Sequence, residues 1–572
     1  MAVKSIPYIL EEIASLLEIK GENPFKSRAY YNAAKILSGV DDLDRVIKEK
    51  KLQDIKGIGE AIAAKIEEYS QTGRMSYLEE LKKEVPESLL ELMQIPNLGP
   101  KKIKVLYDDL GITNVGELEY ACKENRLVNL SGFGEKTQEK ILKGIEFVGR
   151  HKGEYLVGDV YPLAHGIKEK LEKEAKGSAV EVCGSIRRRK EIVRDIDILV
   201  GGGDAERISS FFASLPEVED VLVSGETKTS CRLKSGIEAD LRVVGEKQFP
   251  YALLYFTGNK EHNVKLRGIA KKKGLKLNEY GLFKGEDLLH LKDEEEIYKK
   301  LGLAYIEPEL REDTGEIEAA EQGKLPELVD IKDIKGTFHV HTEFSDGVDS
   351  IEKMVEAAKH LGLTYIGISD HSKSAYYAGG LKYEDLRRQW EIIDARNARE
   401  KTFRILKGIE SDILPDGSLD YDEEILKQFD FVIGSVHSSF QLKKDDQEAR
   451  IIRAMESPHM TMLGHPTGRL LLSRDGYNVD MHTIIDAAAR TRTMIELNAS
   501  PYRLDIDWRY LKYARDKGVM ISINPDAHAA QGLTEIFYGV GIARKGWLTS
   551  RDVLNTRTAD EIVSTLKRHK SL

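Results

Sequence analysis

Asp195 and Asp197 stand two apart in the run Val-Arg-Asp-Ile-Asp-Ile-Leu-Val, residues 193–200. A strand alternates its faces, so both carboxylates share one side and Ile196 and Ile198 take the other. Neighbouring carboxylates repel unless a cation lies between them. Mg²⁺ suits the place, because it takes one or two carboxylates and completes its shell with phosphate oxygens. Just upstream, Gly184 lets the backbone approach a phosphate, and Ser185 and Arg188 are donors for it. The stretch reads as a turn at Gly184-Ser185, a basic run, then a strand. Asp240, in the alternating run 237–244, is spaced to join from a neighbouring strand. Phosphate donors facing metal carboxylates are the parts of phosphoryl transfer. Asp-x-Asp alone fits a solvated strand face equally well; the turn and the basic run weaken that reading.

A second set lies further on. Ten of the 14 histidines follow residue 334. His339-x-His341, Asp346, His371, Glu410, His437, His465 and Asp526-x-His528 close or follow six of seven strand-like runs, at 336–341, 364–369, 404–410, 429–437, 460–465, 493–498 and 519–523. Helical stretches separate these runs, which predicts a barrel with its functional groups at the strand C-termini. A lone histidine is usually structural, but nine His, Asp and Glu at one barrel mouth exceed what packing needs. Mixed histidine and carboxylate ligands suit two or three Mn²⁺, Zn²⁺ or Fe²⁺ ions. Such a cluster activates water and hydrolyses phosphoesters. His360, His459 and His482 fall on helices and are set aside. Asp370 either supports a ligand or binds weakly.

These residues need elements to hold them, and the earlier chain supplies a different kind. Residues 9–19 repeat apolar side chains at helical spacing. Lys26, Arg28, Tyr30 and Tyr31 follow, either as packed tyrosines on a helix face or as a pocket for a DNA 5′-phosphate. Residues 52–68 read as helix, Gly57-Ile58-Gly59, helix. Glycine there leaves backbone N–H groups open at a helix N-terminus, which holds a DNA phosphate without reading sequence. The pattern recurs at Asn97-Leu98-Gly99, where Asn tolerates positive φ, and at Gly132-Phe133-Gly134. Three such turns, each with a lysine-bearing helix after it, predict helix-hairpin-helix units over plain αα-hairpins.

The 572 residues allow several domains, and 41% hydrophobic content supports their cores. No apolar run reaches membrane-spanning length, and the first residues lack a signal-peptide pattern. Cys122, Cys183 and Cys231 are scattered. That fits a reducing cytosol and rules out a disulfide framework or a cysteine zinc site, so a cytoplasmic protein away from membranes is expected. A net charge of −10 argues mildly against nucleic acid, but distribution matters more than the sum. Residues 259–276 carry seven Lys/Arg against one acid, and residues 307–333 carry ten acids against three bases. The acidic stretch, with Pro308 and Pro326, reads as a linker.

Gly184-Ser185, Asp195-x-Asp197 and Asp240 resemble the palm motifs of the DNA polymerase beta superfamily of nucleotidyltransferases. Tyr255-Phe256-Thr257-Gly258 resembles that family's segment beside the incoming sugar. Asn263 and Arg267 match its positions on the DNA minor groove, where acceptors are similar for every base pair. Lys65 resembles the Schiff-base lysine of the family's N-terminal lyase; a solvated phosphate-binding lysine fits equally, since a nucleophilic lysine needs a lowered pKa. Two positions depart from the animal enzymes: Asn259 replaces their serine and Glu238 their arginine. Residues 334–572 resemble the PHP (polymerase and histidinol phosphatase) domain. The whole chain resembles a bacterial or archaeal family X DNA polymerase fused to a PHP domain.

The resemblance implies a multidomain chain. Residues 1–88 would be a helical 5′-phosphate-binding domain, 89–150 a second helix-hairpin-helix domain, 151–245 an α+β palm and 246–306 a thumb. An acidic linker over 307–333 and a distorted TIM-like (β/α)7 barrel over 334–572 would follow. The implied activity is template-directed filling of short gaps in base-excision or end repair. The implied partners are dNTPs and gapped or nicked duplex DNA bearing a 5′-phosphate, met by a monomer. Asp195, Asp197 and Asp240 would hold two Mg²⁺ or Mn²⁺. Gly184, Ser185, Arg188, Tyr255, Phe256, Gly258 and Asn263 would contact the nucleotide. Gly57, Gly59, Gly99, Gly132, Gly134, Lys26 and Arg267 would contact DNA, with a monovalent cation at a hairpin. The PHP site would be a 3′–5′ exonuclease, with abasic-site cleavage a further expectation. Two other readings stay open: a template-independent nucleotidyltransferase, and a small-molecule phosphatase tethered to DNA by the N-terminal half.

Overall fold

The helical period of residues 9–19 forms the helix Ile6–Lys20, whose Ile9, Leu10, Ile13, Leu16 and Leu17 are buried. The computed structural model describes residues 6–570 apart from 38–39, 41–42, 87, 94, 96–97, 129, 150–152 and 226. Two units result, Met1–Gly149 and Arg150–Leu572. Among its described residues the first is all helical, and one apolar core runs through it from Ile9 to Ile145. The two N-terminal helical domains expected at 1–88 and 89–150 therefore share a core. Gly57 and Gly132 have φ of +103° and +82°, where a side chain would be strained. The helices Glu60–Thr72 and Glu135–Gly149 begin directly after Gly59 and Gly134. Gly99 is the extended residue before the helix Pro100–Leu110, whose proline sits in the first turn, where no donor is lost. Asn97 and the expected boundary at 150–151 lie outside the described residues.

In the second unit, five strands make the palm sheet: β1 (Ala179–Val182), β2 (Asp195–Gly201), β3 (Val218–Ser224), β4 (Lys228–Leu233) and β5 (Glu238–Val244). Their spatial order is β1-β2-β5-β4-β3, with β2 and β5 parallel and the other pairs antiparallel. Ile196 and Ile198 are 0% and 2% exposed, so the alternation drives β2's apolar face into the core as its spacing requires. Gly184-Ser185, expected as a turn, opens a one-turn helix, Gly184–Arg187.

Seven parallel strands follow in consecutive order: β6 (Gly336–Val340), β7 (Tyr365–Ile368), β8 (Arg404–Asp412), β9 (Phe431–Ser435), β10 (Met462–Leu463), β11 (Met494–Asn498) and β12 (Ile521–Asn524). Bonds from Ala527 N to His339 O and from His341 N to Ala527 O close the ring. Phe338, Tyr365, Leu406, Phe431 and Met462 fill one end of the barrel. Gly408 makes room there, since a Cβ on it would stand 2.1 Å from Phe431 Cζ. The C-terminal helix Ala559–Lys570 adds Ile562 and Leu566 to the same cluster.

The linker expected over 307–333 is instead folded. It forms a 3₁₀ turn, Pro308–Leu310, and a helix, Glu316–Glu321, and it buries Leu310, Ile317 and Ala320 in the thumb core. Several of its carboxylates meet partners from the flanking domains. Glu309 pairs with Arg544 at 2.8 Å, Asp313 with Lys265 at 2.6 Å, and Glu316 with His262 at 2.7 Å. Among the described residues no helix is long and apolar enough to cross a membrane.

Candidate active sites

The parallel register of β2 and β5 sets Asp197 directly opposite Asp240 and Asp195 opposite Glu238. Asp195, Asp197 and Asp240 thus gather on one face, as their spacing predicted. Burial, then Asp195 and Asp240, pushes the Asp197 carboxyl up to about 7. Burial and Asp240 likewise raise Asp195. This is a surplus of negative charge in a half-buried place, and its all-oxygen donor set fits two Mg²⁺ or Mn²⁺. Lys228 on β4 stands against Asp240, Nζ to Oδ2 2.7 Å. Gly184, at φ +61°, leaves no room for a side chain: a Cβ would lie 2.4 Å from Asp197 Oδ2.

Every member of the basic run after Ser185 is committed to a neighbour. Arg187 pairs with the buried Glu294 at 2.6 Å, and Arg311, itself 0% exposed, holds the other oxygen of Glu294 at 2.6 Å. Arg188 donates from Nε to Glu312 at 3.1 Å and from Nη1 to the Thr257 carbonyl. Arg189 lies between the rings of Tyr161 and Phe537, and Lys190 approaches Glu312 at 3.5 Å. The two expected phosphate donors thus stand at a clasp, Ser185 half-buried at the start of its helix and Arg188 engaged through Nε and Nη1.

The helix Phe249–Thr257 ends at Gly258, φ +70°, beside Arg188. Tyr255 and Phe256 pack edge to face at 5.2 Å, and Arg242 covers Phe256 at 4.7 Å. Asn259 accepts from His262 N at 2.8 Å and so caps the next helix, a task serine performs equally well. Asn263 donates to the Tyr255 carbonyl at 2.8 Å. Tyr255, Asn263 and Arg267 line one small cavity, which brings the two expected minor-groove residues to the sugar-side segment.

In the barrel all nine predicted ligands converge. Glu410 is central: His339 Nε2 lies 3.2 Å, His437 Nε2 3.2 Å and His465 Nε2 3.0 Å from its Oε1, and His371 Nδ1 2.8 Å from its Oε2. Asp526 faces His339 and His341 at 3.3 and 3.2 Å, and Asp346 faces His371 and His528 at 3.4 and 3.3 Å. Burial and neighbouring histidines push His341 down to about 3, and burial with Arg503 takes His465 to about 4. Burial opposes charge on His371, but Asp346 and Glu410 lift it to about 10. Imidazole nitrogens and buried carboxylates set this close match transition-metal chemistry. His339, His465 and Asp526 have φ of +56°, +23° and +55°. Left-handed backbone at three ligands re-aims side chains that plain alternation would send elsewhere.

Two residues were missed. His339 Nδ1 donates to Glu496 at 2.6 Å, and His437 Nδ1 to Asp412 at 2.7 Å. Both carboxylates lie near the C-terminal ends of barrel strands, and Asp412 stands two after Glu410. Strand period was therefore the signal that could have found it. Asp370 is engaged by Thr342 N at 2.7 Å, Thr342 Oγ1 at 2.8 Å and Gln389 Nε2 at 2.6 Å, which makes it a support for the loop after β6.

In the helical unit, Lys26 and Lys65 both stand over the Tyr77 ring, at 5.4 and 4.9 Å. Tyr30 is buried against Tyr77 and Tyr31 bonds Ser15, so those two tyrosines are packing residues.

Four family models match: helix-hairpin-helix domain at 1–75, SAM-like helix-hairpin-helix tandem at 89–146, DNA polymerase beta thumb at 252–312 and PHP domain at 337–500. The "DNA polymerase/3′-5′ exonuclease PolX" of Bacillus subtilis (strain 168) is 40% identical over 574 residues, covering 100% of both chains. A "Repair DNA polymerase X" of African swine fever virus (isolate Tick/South Africa/Pretoriuskop Pr4/1996) is 30% identical over 26% of this chain and 94% of its own. A "Probable phosphatase" of Thermoanaerobacter sp. (strain X514) is 28% identical over 38% of this chain and 89% of its own.

Proposed function

The chain belongs to the family X DNA polymerases that carry a C-terminal PHP domain, and on that premise we propose that it fills short gaps in duplex DNA and trims 3′ ends at a separate site. The observation that carries the reading is Asp197 opposite Asp240 across parallel strands, with Asp195 on the same face and Gly184 against them. Two Mg²⁺ or Mn²⁺ ions bound there would supply the charge that acidifies the primer 3′-hydroxyl and shields the pyrophosphate. Asp240 receives or orients the 3′-hydroxyl proton. Ser185 and the remaining edge of Arg188 donate to the β- and γ-phosphates. Tyr255 and Phe256 back the sugar, and Asn263 and Arg267 meet the minor groove. Lys26, Lys65 and the glycine turns hold the 5′-phosphate side of a gapped or nicked duplex.

In the barrel, two or three Mn²⁺, Zn²⁺ or Fe²⁺ ions would supply a hydroxide near neutral pH. His339, His341, Asp346, His371, Glu410, His437, His465, Asp526 and His528 hold them. Glu496 and Asp412 fix the rings of His339 and His437 by taking their Nδ1 protons in hydrogen bonds.

The test is a one-nucleotide gapped duplex with a 5′-phosphate and labelled primer, in Mn²⁺, with and without dNTPs. The Asp195→Ala/Asp197→Ala double variant is expected to lose extension alone, and His339→Ala to lose shortening alone. Extension by the double variant would sink the polymerase assignment. Addition regardless of template would favour the transferase reading. The relative named a probable phosphatase keeps the small-molecule reading in view, and comparing single-stranded DNA with phosphomonoesters as substrates decides it.

A further inference from the structure

The helix Ile536–Lys545 ends with a lysine that leaves the barrel. Lys545 is 1% exposed, and its ammonium passes 4.8 Å from the Trp508 ring. Nζ donates to Glu312 Oε1 at 2.5 Å and to the Arg188 carbonyl at 3.0 Å. A buried ammonium is costly unless matched, and the match here comes from outside the barrel. The same Glu312 carboxylate accepts from Arg188 Nε at 3.1 Å and from Asn259 Nδ2 at 3.3 Å. The Arg188 guanidinium is thereby fixed through Nε and Nη1, and Nη2 makes no hydrogen bond among the described residues. The next residue, Arg189, lies 4.4 Å from the ring of Phe537 on that barrel helix. Gly541 on the same helix lets it pass, since a Cβ there would come within 3.2 Å of Arg189 Cδ.

We propose that Lys545 is a positioning residue for nucleotide addition: through Glu312 it sets the guanidinium of Arg188, so the barrel helps build the nucleotide site of the palm. The inference rests on the polymerase reading of Arg188 above. Mere domain glue would lower stability and both activities together. A positioning residue instead weakens dNTP use while leaving 3′ shortening intact.

The test uses the full chain with Lys545→Met, Glu312→Gln, Arg188→Met and Lys545→Met/Arg188→Met on gapped duplex. KM for the dNTP, kcat, 3′ shortening and the thermal midpoint are read for each. Lys545→Met and Glu312→Gln are each expected to raise KM about tenfold, as for one displaced charge-assisted hydrogen bond, with shortening unchanged. The double variant is expected to match Arg188→Met alone, because the lysine acts only through that arginine. If Arg188→Met raises KM and neither Lys545→Met nor Glu312→Gln does, the inference falls and the polymerase reading stands. If Arg188→Met itself leaves KM unchanged, the reading of Arg188 fails instead. A joint fall in both activities and in the thermal midpoint, at unchanged KM, makes Lys545 glue and also overturns the proposal.

Discussion

Glu496 and His339 are joined by a 2.6 Å hydrogen bond with both side chains 0% exposed, and Glu496 also accepts from His465 N at 2.7 Å and Asn524 Nδ2 at 2.8 Å. One carboxylate therefore sets the angle of an imidazole and ties β10's end to β11. Glu496→Gln keeps the volume and loses the charged acceptor. Primer shortening is expected to fall about 10- to 100-fold, the usual cost of losing an outer partner of a metal ligand, with extension unchanged. Equal shortening by wild type and variant on a labelled single strand would show that His339 needs no such support.

Gly184→Ala is expected to abolish most extension. The new methyl would collide with Asp197 Oδ2 at 2.4 Å, in a backbone conformation that side chains rarely adopt. Moving a catalytic carboxylate by about 1 Å costs on the order of 100-fold. Single-turnover gap filling measures the loss, and shortening by the same preparation serves as the control for folding.

Acid is expected to loosen the junction around the thumb. Burial alone would raise Glu294 and Glu312, but Arg311 and Arg187 hold Glu294 at about 2, and Lys545 and Arg188 hold Glu312 at about 2. Both lie below the 4.5 of an unconstrained glutamate, so their stabilisation is complete above that pH and is lost as pH falls toward 2. The pair contributes on the order of 3 kcal/mol each by this linkage. Urea midpoints between pH 6 and 3 are the measurement. Arg311→Met should lower the unfolding free energy at pH 6 by about 3–5 kcal/mol, since it strands a buried charge.

Chelation is expected to stop shortening and to lower the thermal midpoint of the second unit, with both restored by Mn²⁺. Nine ligands that gain a cation only when folded make the ion part of the folding equilibrium. Calorimetry before and after treatment reads the shift. An unchanged midpoint with lost shortening would mean the cluster is held together by its ion pairs alone.

The strand-end ligands were legible because alternation and βα spacing are local properties: the seven strands form within a few residues of the runs that predicted them. Asp240 was legible for the same reason, since two alternating runs leave few ways to pair. The acidic stretch misled, because charge density resembles a linker when its partners are far off in sequence. Arg544, Lys265 and His262, which pair with Glu309, Asp313 and Glu316, lie 235, 48 and 54 positions away by their numbers. The basic run has partners that are equally distant in sequence: Arg187, Arg188 and Arg189 meet Glu294, Glu312 and Phe537. Glu496 carried too weak a signal, because one acid on a buried strand resembles a paired structural group.

The opposition of Asp197 and Asp240 has a further consequence for errors of folding. Side chains repeat every two residues along a strand, so a slip of one residue between β2 and β5 would set Ala239 against Asp197. It would also turn Asp240 toward the apolar face that Ile196 and Ile198 occupy. The misaligned sheet would bury an unpaired carboxylate and expose apolar surface, so it could not persist as a well-folded impostor. Activity and correct assembly are checked by the same two aspartates, and a molecule that passes one check has passed the other.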